Sequence, residues 1–138
     1  MNIKKQADLI YGDKLEQHCI TQFNDYFKCT LNKISINSII DFIDDESKIV
    51  IELKGRRCRK HQYNDTMIGT NKLYEAKKYI DKGYSCYFAF SFIDKLCYYQ
   101  YDGTINNKWI REGGRCDRGC TETNSYYHIP CTLLKDIK

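Results

Sequence analysis

Two β-rich runs separated by four polar residues constrain this chain more than any other feature. Ser38-Ile39-Ile40-Asp41-Phe42-Ile43 and Lys48-Ile49-Val50-Ile51-Glu52-Leu53-Lys54 are dense in β-branched residues, and Asp44-Asp45-Glu46-Ser47 between them is turn material. Runs this close pair as an antiparallel hairpin. With the tip between Glu46 and Ser47, opposite residue numbers sum to 93, which sets Asp41 against Glu52. Opposite residues share a face, with Cβ atoms about 5 Å apart. Lys54 lies two residues past Glu52 and points the same way. Ile40, Phe42, Ile51 and Leu53 read as core on the other face.

The flanking pattern is mixed. Ile3, Ala7, Ile10, Leu15, Cys19, Phe23 and Phe27 recur at helical spacing and predict one amphipathic helix over 3–27, with Gly12 as an interruption. Residues 29–36 alternate weakly, like a strand. Residues 69–82 predict a second helix with Leu73, Ala76, Lys77 and Ile80 inward and Gly83 as its stop. Tyr84 to Ile93 is so apolar that it suits a sheet covered on both faces. Leu96 to Tyr101 reads as a further strand, and a last one is expected near Tyr126 to Leu133. With 138 residues and no repeat or linker, residues 1–138 form a single α/β domain.

Composition narrows the function classes. Lys and Arg number 22 against 18 Asp and Glu, a net charge of +4 that permits a nucleic-acid partner without demanding one. No run is long and apolar enough for a membrane helix. Residues 1–8 carry no apolar signal core, and 42% apolar residues can build a core without staples. The eight cysteines are therefore expected to be reduced, in an intracellular compartment.

The hairpin carries the chemistry. Two carboxylates this close repel each other unless a cation or a shared proton relieves them. All-oxygen ligation with waters suits Mg²⁺, with Mn²⁺ able to substitute. An adjacent ammonium can hold or polarise a water, and a metal-bound water beside a phosphodiester is a hydrolytic nucleophile. The set points to metal-assisted hydrolysis.

The pattern of Asp41 in Ile40-Asp41-Phe42-Ile43, then Ile51-Glu52-Leu53-Lys54-Gly55-Arg56, resembles the PD-(D/E)XK nuclease superfamily over residues 9 to 101. Ile40 stands where the family name has Pro. The resemblance implies a restriction-endonuclease-like αβββαβ core, a mixed sheet flanked by helices, here with a C-terminal strand extension. It implies a metal-dependent DNA endonuclease in which Asp41 and Glu52 ligate metal and Lys54 orients the attacking water or stabilises charge on the phosphate. A further acidic ligand often comes from the first helix, and Glu16 fits that place. A polar or basic residue often follows on the next helix, and Asn71 and Lys72 are candidates. The stretches Glu52 to Arg56, Met67 to Lys72 and Gly114 to Gly119 are also similar to short nucleases of this superfamily encoded by large DNA viruses.

Arg56, Arg57, Arg59 and Lys60 follow the Glu-x-Lys strand directly and are candidate phosphate contacts, as are Lys72 and, in a Gly-rich loop, Arg115 and Arg118. Against this stands the ordinary reading of a charge run as a solvated face. Asp44 and Asp45 are expected to be solvated turn residues. Tyr74, Tyr79, Tyr98, Tyr99 and Tyr101 could stack on bases, but core packing is the commoner use. Cys116, Cys120, His128 and Cys131 fit none of the common short zinc spacings, so zinc is not expected. A domain this short covers one scissile phosphate, so cutting both strands needs a homodimer or two events. The competing classes are a non-catalytic nucleic-acid-binding module on the same fold and a zinc-bearing interaction protein.

Overall fold

The computed structural model of the chain describes residues 3–35, 37–114 and 123–137. Helix α1 spans Ile3–Phe27 and runs through Gly12 without a break. It is followed by strands β1 (Asn32–Lys33), β2 (Phe42–Asp44), β3 (Ile49–Gly55) and β4 (Asp65–Gly69), and by helix α2 (Thr70–Asp81). Strands β5 (Ser85–Ser91), β6 (Leu96–Tyr101), β7 (Ile110–Gly114), β8 (Thr123–Pro130) and β9 (Lys135–Asp136) complete it.

Six strands form a mixed sheet in the order β1-β2-β3-β5-β6-β9. The hairpin register is the one the turn residues dictate: Phe42 faces Ile51, Ile43 faces Val50 and Asp44 faces Ile49. Strand β3 pairs parallel with β5, with α2 in the connection, and β5 pairs antiparallel with β6. This is the α/β architecture of the restriction-endonuclease-like fold.

Being central, β3 is covered on both faces, which is why it reads as a nearly continuous apolar run. On one face Phe42, Ile49, Ile51 and Leu53 pack with Cys19 and Phe23 of α1. On the other, Val50, Phe88 and Phe90 pack with Leu73 and Ala76 of α2. Phe23 and Phe42 are fully buried, each burial contributing on the order of 2 kcal/mol. Ile40 departs from the expected face. It precedes β2, outside the regular ladder, and packs in the α2-side cluster. Lys77 is not inward either; it is exposed and paired to Asp81 one helical turn on.

A second sheet, β4-β8-β7, is not foreseen as a sheet in the sequence pattern. Its inner residues Ile68, Tyr127 and Ile129 close the α2-side cluster. Gly83, at φ 92°, ends α2 in the left-handed region that glycine tolerates. Of the tyrosines considered for base stacking, Tyr98 and Tyr101 are buried, Tyr79 and Tyr99 are half-buried, and Tyr74 on α2 is exposed. Among the described residues no helix is long and apolar enough to cross a membrane.

Candidate active site

The hairpin assembles the site. Asp41 stands just before β2, where its carbonyl accepts the Ile34 N–H at 2.9 Å and its carboxylate Oδ2 accepts the Leu53 N–H at 2.9 Å. That second bond ties the Asp41 loop to β3 immediately past Glu52. Asp44 does a different job. It is buried, not solvated as expected, and accepts N–H groups from Thr30 (2.7 Å), Glu46 (3.0 Å) and Ser47 (3.1 Å). Those bonds hold its carboxyl below the usual range and fix the turn that sets the register.

Glu52 is 1% exposed. Lys54 Nζ lies 3.8 Å from Oε1, and Lys72 Nζ, reaching across from α2, lies 2.9 Å from Oε2. The Lys72 ammonium also donates to the Ile39 carbonyl, so it joins α2 to Glu52 and to the segment before β2. Burial pushes Glu52 up to about 8, helped by a hydrogen bond to Asp41 and by the Asp41 charge. The two lysines pull the other way and do not prevail. Burial also lowers Lys54, with Lys72 and Arg56 adding to the effect against the attraction of Glu52 and Asp41. The site therefore sets Glu52, raised by burial, beside Asp41 and between two ammonium groups.

This donor set fits a hard divalent cation. Glu52 carries a buried carboxylate beside a second carboxylate, and such ions accept few protein oxygens and keep several waters. Among the described residues no group of three His, Cys, Asp or Glu side chains could hold a metal. Glu16, expected as a third ligand, is instead 3.0 Å from Lys33 Nζ on β1. Its helix does reach the site: a Cβ on Gly55 would meet Leu15 Cδ2 at 2.8 Å, so glycine at the end of β3 lets α1 approach closely.

The basic residues divide. Arg56 donates through Nε to Thr66 Oγ1 at 3.1 Å and to the Met67 carbonyl, and lies 5.6 Å over the Phe90 ring, joining β3 to β4. Lys60 is buried, its ammonium 2.6 Å from Asp136 and 3.3 Å from the Leu134 carbonyl. It pins β9 to the loop after β3, with its ammonium engaged in that contact. Arg57 and Arg59 are exposed. Arg115, Arg118, Cys116 and Cys120 lie outside the described residues. His128 Nδ1 is 3.1 Å from Asp65 Oδ1, and Cys131 is a buried free thiol just after β8. The Asp65–His128 contact has no sequence signal, because it depends on β4 and β8 pairing across 63 residues.

A mixed sheet whose hairpin brings Asp41, Glu52 and Lys54 onto one site defines a nuclease-like domain of the PD-(D/E)XK type. Residues 8–137 match the family described as "Phage putative PDDEXK endonuclease", and the chain belongs to that family. The match runs past residue 101 through β7, β8 and β9, so the second sheet is part of the family's domain. No curated protein matches the chain.

Proposed function

We propose that the protein is a metal-dependent DNA endonuclease that hydrolyses phosphodiester bonds, with Mg²⁺ or Mn²⁺ held by Asp41 and Glu52. The observation that carries this reading is Glu52, fully buried beside Asp41 and between Lys54 and Lys72. Burying such a set costs stability relative to apolar residues of similar size. A module that only bound nucleic acid would have no use for it. The bound cation would supply positive charge against the phosphate and acidify a water. Lys54, with its proton affinity lowered by burial, orients that water or meets charge on the phosphate. Lys72 and the Leu53 N–H hold Glu52 and Asp41 in place. Glu16 can join the site only by leaving Lys33. Cutting both strands takes two copies or two encounters.

Supercoiled plasmid incubated with the protein should be nicked with Mg²⁺ or Mn²⁺ and not with chelator, and Asp41→Ala should abolish nicking. An absence of nicking at every metal concentration, or full activity in Asp41→Ala, sinks the reading.

Arg57 and Arg59 are the exposed phosphate contacts of the loop after β3. Arg59→Ala should reduce the slope of log affinity against log salt by about one unit. Lys60→Ala should leave the slope unchanged and lower stability by about 0.5–1.5 kcal/mol, because the Leu134 carbonyl loses its donor while Asp136 keeps the Cys97 thiol and Lys95. Fluorescence anisotropy across a salt series and thermal melts measure the two effects separately.

A further inference from the structure

The cleft beside the end of β3 is not used by the Asp41, Glu52 and Lys54 set. It encloses about 280 Å³, the small end of the range for ligand sites, and its walls include Arg56, Arg59, Tyr63, Asp65, Met67 and Phe92. Arg56 continues the face of Glu52 and Lys54: it lies over Phe90, the strand partner of Lys54. Two residues of extended chain separate Lys54 from Arg56, about 7 Å. The cleft therefore begins roughly one nucleotide step from the Glu52–Lys54 centre.

Its chemistry is specific. Tyr63 and Met67, 62% and 44% exposed, offer an aromatic ring and a polarizable thioether. Asp65 offers a carboxylate, anchored by His128 at 3.1 Å and facing Arg111 at 3.7 Å. These contacts leave about half of its acceptor positions open. Arg59 supplies an exposed cation at the rim. A flat ring with N–H donors on its edge and an anion attached nearby matches all three features. A free anion suits the cations of the lining, Arg56, Arg59 and Lys60, but meets the Asp65 carboxylate and leaves Tyr63 and Met67 unused, and an apolar ligand leaves Asp65 unused.

We propose that this cleft receives one unpaired nucleobase of the nucleic-acid substrate, stacked on Tyr63 and donating its edge N–H groups to Asp65, next to the phosphate at Glu52 and Lys54. The proposal rests on the nuclease reading and names its substrate: a strand with an unpaired nucleotide at the point of cleavage, such as a bulge, flap or branch. A base inside a duplex cannot reach the cleft without leaving the stack, so a nucleotide already unpaired enters at least cost. Guanine, with two adjacent donors on its pairing edge, suits a carboxylate best. Thymine, with one N–H between two acceptors, suits it least.

The test is metal-free binding, measured by fluorescence anisotropy in chelator. The probes are a short duplex carrying one unpaired guanine, the same duplex with unpaired thymine, and the fully paired duplex. The unpaired-guanine duplex should bind roughly ten-fold more tightly than the paired one. Tyr63→Ala should remove that preference while leaving paired-duplex affinity unchanged, and Tyr63→Phe should restore it, since stacking needs the ring and not the hydroxyl. Asp65→Asn should erase the guanine-over-thymine difference. Equal affinity of the wild-type protein for bulged and paired duplexes, or an undiminished preference in Tyr63→Ala, overturns the proposal. Because no cleavage occurs in chelator, these outcomes are separate from plasmid nicking. Nicking without a bulge preference defeats this inference alone. A bulge preference without nicking defeats the nuclease reading alone.

Discussion

Lys54→Ala is expected to reduce metal-dependent plasmid nicking by about 10²–10⁴-fold, the range a positioned proton donor or acceptor contributes. The side chain is two-thirds buried, and its Nζ is 3.8 Å from Glu52 Oε1. Burial lowers its proton affinity, so near-neutral pH it gives up a proton more readily than an exposed lysine. Two roles are compatible with that placement, and one substitution separates them. Lys54→Arg keeps a permanent positive charge and cannot act as a base near neutral pH. If the ammonium serves as a fixed charge on the phosphate, arginine restores much of the activity. If a proton leaves Lys54 in the reaction, arginine is as inactive as alanine, and the wild-type rate climbs with pH where the variant's does not. Undiminished nicking by Lys54→Ala would remove Lys54 from the mechanism altogether. The stability of Lys54→Ala, read by thermal melting, distinguishes lost chemistry from lost fold.

What the amino-acid sequence made legible follows from local physics. The β2–β3 register is written in the turn, because residues 44–47 fix where the tip falls and period-two alternation does the rest. Both helices and the paired strands β5 and β6 emerge within two residues of their expected ends, since each is long and strongly patterned. The second sheet was hidden for the opposite reason. Strand β4 is five residues ending in glycine inside a polar stretch, and only its pairing with β8, about sixty residues on, makes it a strand. The basic loop shows the same limit at single-residue scale. Arg59 and Lys60 are neighbours of like charge, yet one is exposed and the other is buried against Asp136, a partner 76 residues away. Lys72 could be named as a candidate, but its contact with Glu52 follows from α2 folding over β3. Spacing predicts the helix that carries Glu16, the family resemblance implies a ligand role for it, and a long-range ion pair with Lys33 decides where its carboxylate sits.

Glu52→Gln is expected to stabilise the metal-free protein at alkaline pH while abolishing nicking. In the folded protein Glu52 titrates near 8, against an ordinary value of 4.5. Between those values the folded chain holds a proton that the unfolded chain has lost, so the slope of unfolding free energy with pH is negative. The stability that this proton confers is full below about pH 4.5 and is lost as pH rises through about 8. The shift corresponds to a few kcal/mol, to order of magnitude. Glutamine mimics the protonated form at every pH. At about pH 5 the variant should melt with the wild type, and at about pH 9 it should melt higher by roughly 3–10 °C, given about 1–3 kcal/mol and a domain of this size. Both lysines then lose an anionic partner, but the upward shift of Glu52 already includes their attraction, so the sign stands. Divalent cation reverses the order. A cation taking the place of the Glu52 proton stabilises the wild type by mass action, increasingly so up to about pH 8, whereas glutamine offers it no charge. Thermal melts at acid and alkaline pH, each with Mg²⁺ and with chelator, read all of this from one pair of proteins. A Glu52→Gln protein that melts below the wild type at alkaline pH without metal would show that Glu52 is held ionised by Lys54 and Lys72. The site would then be a salt-bridge network that stabilises the fold and not a carboxylate pair kept for a cation.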